Sequence, residues 1–463
     1  MKKFILILAI LLLTFSASAQ TSAKVYYVEL IEGQAIEANP IKAIEGTSES
    51  KGISVRIYPD ITFQTITGIG GAFNEIGGEA LMSLDEEKQN DIMKNLFDKD
   101  GANFSVCRTA IGASDFGIDA FSYSEVPNDF KMKKFSIERE KTSVIPFIQM
   151  AYKYNPDMEL FASPWSPPGW MKESGLMDRG EEFPEKNVLK DDPKIFKAYA
   201  KYFSKYVEAY AKEGVTVDKI VIQNEQDIST KYPSCNMPPK QMGEFVINYL
   251  RPQFEKDNTP AEIWAGSFRT AKRLDGLEFV TNKDWRASVD GIGVQYMNSR
   301  QVENMRAVFP EIKFLHTEGN CYGGKNSVDQ AYSRFKEVAA FINHGVPNFC
   351  YWNMILNEDS SSGWGWKQNS LIKIDRQNKT VTYNPDYAVM ALFGHFMRPG
   401  MKRVASASWY GDTMTLTDDK NVYLFIKNES DKPRTFDIWL KDNQAKVVDI
   451  PANTISVVEV NYI

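Results

Sequence analysis

Two glutamates close short apolar runs in this chain: Glu225 in Lys219-Ile-Val-Ile-Gln-Asn-Glu225, and Glu318 in Phe314-Leu-His-Thr-Glu318. A β-branched run without helical spacing predicts a strand buried on both faces, as in a parallel sheet. A carboxylate at the carboxyl end of such a strand lies where barrel enzymes keep their chemistry. Two carboxyls facing one cavity suit cleavage of a glycosidic bond. One, protonated, helps the leaving oxygen depart, and the other, ionised, attacks the anomeric carbon; a separation of about 5–5.5 Å gives retention through a covalent intermediate. The plainer alternative for either residue is a surface acid or half of a barrel salt bridge.

The neighbours of the two acids narrow the choice. Asn224, immediately before Glu225, can hydrogen-bond a sugar hydroxyl or simply form a turn. Arg108 stands inside the apolar run Phe104-Ser-Val-Cys-Arg-Thr-Ala-Ile111, where a buried charge is costly unless an acid pairs with it. Glu318 is the expected partner, which would keep that carboxylate ionised as a nucleophile; a structural pair with another acid is the alternative. Trp165 and Trp352, at the ends of two other predicted strands, could wall a sugar site. Two rival motifs fail. Gly68-Ile-Gly70-Gly71 starts like a dinucleotide loop but has Phe73 at the third glycine position, and Gly319-Asn-Cys321-Tyr-Gly323 resembles a nucleophile elbow but runs into Gly323-Gly324 instead of a helix. With three histidines and no clustered ligands, neither a metal nor another cofactor is expected.

The elements that must hold these residues alternate between strand and helix. From residue 64 the predicted strands are 65–71, 104–111, 159–165, 219–225, 262–267, 289–296, 314–318 and 348–354, with long helices over 193–212, 239–254, 327–343 and 387–397. Eight strands interleaved with helices predict an α/β chain whose centre, 64–398, is a (β/α)8 TIM barrel. Beyond Pro399-Gly400 the hydrophobic period becomes two, so 399–463 reads as an antiparallel β-sandwich. The strands within 21–63 are expected to complete it, because an isolated hairpin is only marginally stable. The sandwich is thus built from both chain ends.

Composition excludes several classes of function. The 463 residues carry a net charge of −6 with no basic stripe, so no nucleic-acid partner is expected. Residues 1–20 read as a secretory signal: Lys2-Lys3, an apolar run from Phe4 to Leu13, then Ala17-Ser-Ala19. That run is too short to span a bilayer and no other segment is apolar enough, so no transmembrane segment is expected and the mature protein should be exported. The cysteines Cys107, Cys235, Cys321 and Cys350 show no paired spacing. Oligomeric state has no signature in the sequence.

In order and spacing, Phe63-Gln-Thr-Ile-Thr-Gly-Ile-Gly-Gly-Ala72, Ala162-Ser-Pro-Trp-Ser-Pro-Pro-Gly-Trp170, Asn224-Glu225, Thr317-Glu318-Gly319, Tyr351-Trp-Asn353 and Gly394-His-Phe-Met-Arg-Pro-Gly400 resemble glycoside hydrolase family 30, the group of glucosylceramidases and β-1,6-glucanases. The resemblance implies a retaining mechanism on a β-glucoside or β-glucan, with Glu225 as acid/base and Glu318 as nucleophile. It places Arg108, Asp115, Trp165, Asn224, Trp352 and Asn353 around the non-reducing sugar, and Asp115 favours a glucosyl over a xylosyl donor. The chain departs from the family where Gln226 replaces a proline and where Gln295-Tyr296-Met297 replaces a His-Trp-Tyr run; Tyr296 is the expected holder of the nucleophile's second oxygen. The alternatives are a β-xylosidase or xylanase, and a non-catalytic glycan-binding protein on the same scaffold.

Overall fold

A computed structural model describes residues 23–46, 51–270, 274–297 and 299–462; the expected secretory signal lies outside them. Eight parallel strands run in sequence order around a barrel: Gly68–Phe73, Val106–Ala110, Glu159–Ser163, Lys219–Val221, Glu262–Phe268, Gly291–Gln295, Phe314–Glu318 and Asn348–Asn353. Val106, Phe161, Val221, Trp264, Leu315 and Cys350 fill the amino-terminal end with side chains from six strands, so the barrel is a packed core with its working end at the opposite rim. The first strand is glycine-rich because of close approach: a Cβ on Gly70 would lie 2.2 Å from the Val106 carbonyl oxygen.

The seventh and eighth strands close the barrel without a regular ladder. The Asn348 side chain takes the part of a neighbouring backbone, accepting from the His316 N–H at 2.8 Å and donating to the His316 carbonyl at 3.0 Å. The His316 ring accepts from the Cys350 N–H at 3.2 Å, and Gly319 N–H reaches the Cys350 carbonyl at 2.8 Å. Burial holds His316 well below its ordinary pKa, so the ring is neutral and its Nδ1 can accept.

The helix Pro193–Lys212 shows how sequence sets the outer ring. Asp192 caps it by accepting from Lys194 N–H at 2.8 Å, Pro193 occupies a first-turn position where its missing N–H costs nothing, and Tyr199, Tyr202, Phe203, Tyr206 and Tyr210 form the buried face. The next helix covers the expected 239–254 without a break and runs on to 257, but its middle widens into a π-turn, Val246–Leu250, between α-helical Pro239–Phe245 and Arg251–Asp257. Pro252 supplies no N–H and clashes with the preceding turn, and the wider turn absorbs both effects.

The appended sandwich also differs in detail from a pair of antiparallel sheets. It is one continuous nine-stranded sheet, with Asn443–Ile450 at one edge and the short strand Lys42–Glu45 at the other. Its long strand Ile53–Thr65 pairs antiparallel with Lys402–Ser408 and parallel with Arg434–Leu440. The sheet curls until its edges meet: Gly46 lies against both Val25 and Val448, and Val25, Ile57, Leu424, Phe436, Val448 and Val458 share one core. Helix Pro385–Phe396 joins it to the barrel, stacking Phe393 on Phe425 with ring centroids 5.2 Å apart. A small sheet absent from the sequence reading, Ile355–Asn357, Ile372–Asp375 and Thr380–Tyr383, supports the loop that follows the eighth strand. All four cysteines are buried and unpaired, and no described helix is long and apolar enough to cross a membrane.

Candidate active site

Arg108 is the centre of the site. It projects from the second strand, has no exposed surface, and makes five donations to four acceptors. Nε and Nη2 reach Ser163 Oγ at 3.1 and 2.6 Å, Nη1 reaches the Thr317 carbonyl at 3.1 Å and Glu318 Oε2 at 2.7 Å, and Nη2 reaches Asn224 Oδ1 at 2.7 Å. One guanidinium thereby ties together the ends of the third, fourth and seventh strands. The expected pairing of Arg108 with Glu318 is present. A buried charge with this many acceptors is compensated, and the forked geometry of Arg is what allows it.

Glu318 ends the seventh strand. Its other oxygen, Oε1, accepts from the Tyr296 hydroxyl. Burial pushes the carboxyl upward, while Arg108 and the Tyr296 hydrogen bond pull it back down. Glu225 lies in the turn after the fourth strand with φ of 42°, a left-handed conformation uncommon for a residue with a side chain. Gln295 Nε2 donates to its Oε1 at 3.0 Å, and Thr317 Oγ1 in turn holds Gln295 Oε1 at 3.0 Å. Burial first, then the charge of Glu318, raises Glu225 to about 8. Among the described residues no cation bonds it directly; Arg269, whose charge opposes the rise, is engaged with Asp227 at 2.8 Å. Burial raises both acids, but only Glu318 has a bonded cation and a hydroxyl drawing it back down, an asymmetry that suits one acid and one nucleophile.

Trp165 and Trp352 stack on one another at 4.8 Å between centroids, and the Arg108 guanidinium lies 4.5 and 5.4 Å from their rings. Trp352 is fully buried and Trp165 nearly so; they form a floor under the site more than open walls. Asp115 follows the second strand in a loop fastened twice. Ile118 N–H bonds Glu75 Oε2 at 2.8 Å, and Gly363 N–H bonds the Gly117 carbonyl at 3.0 Å. Its carboxyl is raised by burial and by the charges of Glu318 and Glu225, and its Oδ1 is buried with no hydrogen-bond partner, as is Trp352 Nε1. Asn353 stands apart: its amide donates to Gln368 Oε1 at 2.7 Å and the Asn369 carbonyl at 3.2 Å, and its oxygen accepts from Asn74 at 3.1 Å. In this structure it cross-links the first and eighth strands to the last loop.

Several contacts here escaped the sequence reading. Ser163 and Gln295 bond Arg108 and Glu225, yet both look like ordinary polar residues at strand ends, and only cross-strand register brings them to the acids. Gln226, at the family's proline position, ties its loop to the helix Asp275–Thr281 through Asp275 Oδ2 at 2.8 Å. Tyr232 and Tyr322 feel the charges of both Glu225 and Glu318. Cys321, in the elbow-like motif, is a buried thiol pushed up to about 12, with no route to a thiolate nucleophile.

A closed parallel barrel with two buried carboxyls in unlike surroundings at its carboxyl rim has the make-up of a glycoside hydrolase. The chain belongs to the family described as the glycosyl hydrolase family 30 TIM-barrel domain, whose model matches residues 66–397, and the family is one of retaining β-glycosidases. It is 26% identical over 391 residues to the lysosomal acid glucosylceramidase of Mus musculus, covering 79% of this chain and 74% of the relative. It is also 26% identical over 365 residues to endo-1,6-beta-D-glucanase neg1 of Aspergillus fumigatus, covering 73% and 71% of the two chains. The crystal structure of SrfJ from Salmonella typhimurium shares the fold, with a TM-score of 0.83, 20% identity, and coverage of 95% of this chain and 99% of that one.

Proposed function

We propose that this chain is an exported retaining glycosidase that hydrolyses β-glucosides, either glucosylceramide-like lipids or β-1,6-linked glucan, with Glu318 as nucleophile and Glu225 as acid/base. Glu318 attacks the anomeric carbon while Glu225 passes its proton to the departing glycosidic oxygen. The charge of Glu318 is spent in the covalent bond, so Glu225 loses the neighbour that helped hold its proton and becomes the base that activates water. Water then releases the sugar with its original anomeric configuration.

The observation that carries this reading is the asymmetry around the two acids: Arg108 and Tyr296 hold both oxygens of Glu318, whereas among the described residues Glu225 has only the Gln295 amide. Asp115 Oδ1 and Trp352 Nε1, buried and unpartnered, are polar atoms that sugar hydroxyls would satisfy. A substrate with a hydroxymethyl arm offers one more hydroxyl than a pentose, which favours a glucosyl donor over the xylosyl alternative. The test is Glu318→Ala, which abolishes turnover and recovers it with small anions such as azide, giving an adduct of inverted configuration. Full activity in that variant ends the proposal.

A further inference from the structure

The loop that carries Asp115 is held by two residues that stand outside the site. Glu75, in the first turn of helix Glu75–Met82, is buried and spends both oxygens there. Its Oε2 accepts the Ile118 N–H at 2.8 Å, and Arg139 forks across the carboxylate, Nε to Oε1 at 2.7 Å and Nη2 to Oε2 at 3.3 Å. The remaining nitrogen of that guanidinium, Nη1, reaches Asp119 Oδ1 at 2.6 Å, and its carbon lies 4.0 Å from the centre of the Phe121 ring. One arginine thus grips the loop on the carboxyl-terminal side of Asp115 and fastens it to a helix, which the planar fork permits and a single ammonium would not.

The neck of the loop is closed on itself. Gly112 N–H bonds the Tyr123 hydroxyl at 2.8 Å and Ala113 N–H bonds the Phe121 carbonyl at 3.0 Å. The tip is covered by the loop after the eighth strand, which comes so near that a Cβ on Gly363 would lie 1.7 Å from the Ile118 carbonyl oxygen. Asp115 sits between neck and tip. Its Oδ1 is buried without a partner, so the backbone that carries it, and not a bond of its own, fixes where that oxygen stands. Placement matters here, because a shift of about 1 Å in a positioning group can cost ~100-fold in rate.

Resting on the glucosidase reading above, we infer that Arg139 and Glu75 are specificity-determining positioning residues: they hold the loop so that Asp115 meets the hydroxyl of the hydroxymethyl arm, the group that separates a glucosyl from a xylosyl donor. Among the described residues neither bonds Glu225, Glu318 or Arg108, so they act through the loop alone. The Arg139 side chain is 34% exposed, and ion pairs that open to solvent add little to stability; its removal is expected to show in substrate choice and hardly in melting temperature.

The experiment is kcat/KM on 2,4-dinitrophenyl β-glucoside and 2,4-dinitrophenyl β-xyloside for the unaltered protein, Arg139→Met, Glu75→Gln, Asp115→Ala, and Arg139→Met combined with Asp115→Ala. We expect Arg139→Met and Glu75→Gln each to lose at least fivefold on the glucoside and less than twofold on the xyloside. With Asp115→Ala already in place, Arg139→Met should cost less than a further twofold on the glucoside, because residues that act through one another do not add. Equal losses on both sugars, a glucoside-to-xyloside ratio unchanged to within twofold, or a combined variant in which the two losses multiply would each overturn the inference, while a preference of the unaltered protein for the glucoside keeps the glucosidase reading. An unaltered protein that favours the xyloside overturns the glucosyl reading and the inference together, and one that turns over neither sugar overturns the hydrolase reading as well.

Discussion

Replacing Glu225 with glutamine should make the protein more stable at pH 8 and almost inactive on unactivated glucosides. Burial and the neighbouring Glu318 raise this carboxyl from its ordinary 4.5 to about 8, and each unit corresponds to 1.36 kcal/mol. Between those two pH values the folded state holds a proton that the unfolded chain has released, so stability falls as pH rises through the window. Glu225 therefore lowers the stability of the folded state by about 3 kcal/mol at pH 7, about 4 kcal/mol at pH 8 and about 5 kcal/mol well above it, and by almost nothing below pH 4.5. Glutamine avoids that cost while its Oε1 still accepts the Gln295 amide. Buried acids that Glu225 does not reach, such as Glu140, titrate alike in both proteins and cancel from the difference, which reports position 225 together with its coupling to Asp115. Scanning calorimetry at pH 4.5 and pH 8 is the assay: the variant should melt above wild type at pH 8, and the gap should close at pH 4.5. A variant that melts below wild type at pH 8, or an offset independent of pH, would refute the reasoning. In the same preparation, kcat/KM should fall by about 10²–10⁴ for poor leaving groups and far less for those that depart without a proton.

Three further outcomes follow from the same geometry. Tyr296→Phe removes a hydrogen bond to an ionised oxygen, worth about 1.5–3 kcal/mol; kcat/KM should fall about 10–100-fold and the acid limb of its pH profile should move to higher pH, while the alkaline limb stays near 8, the value set at Glu225. Arg108→Lys keeps the charge, but one ammonium cannot span Ser163, Asn224 and Glu318 together, so kcat should drop at least ~100-fold even though lysine is nominally conservative; near-wild-type kcat would contradict the site described here. Asn348→Ala leaves the His316 N–H and carbonyl unpaired at the barrel seam, a loss of about 1–3 kcal/mol for each group, read as a lowered melting temperature with no change in the pH profile.

What the sequence discloses about this site is what depends on local pattern. Glu225 and Glu318 stand out because a carboxylate interrupts an apolar run, and Arg108 because a charge inside a strand demands an acid. The Ser163, Gln295 and Asn348 contacts are invisible for the opposite reason: each is an unremarkable polar residue whose partner is fixed by how strands 32 to 70 positions apart come together. The π-turn at Val246–Leu250 could have been suspected from Pro252, which no regular helix interior accommodates cheaply. The curled single sheet could not, because alternation marks strands without saying which of them pair or in what direction. Tyr232, Tyr322 and Trp366 sit in loops where aromatics carry no periodic signal, and only the closing of the barrel gathers them beside the acids.

The division of labour between the two acids is tested most directly by trapping the covalent intermediate. The purified protein is incubated with an activated 2-deoxy-2-fluoro-β-glucoside, digested, and the modified peptide sequenced by mass spectrometry. A single fluoroglucosyl group on Glu318, absent from Glu318→Ala and still formed in Glu225→Gln, is the expected finding. A label on Glu225 or on any other residue would contradict it, as would rapid turnover to a sugar of inverted configuration.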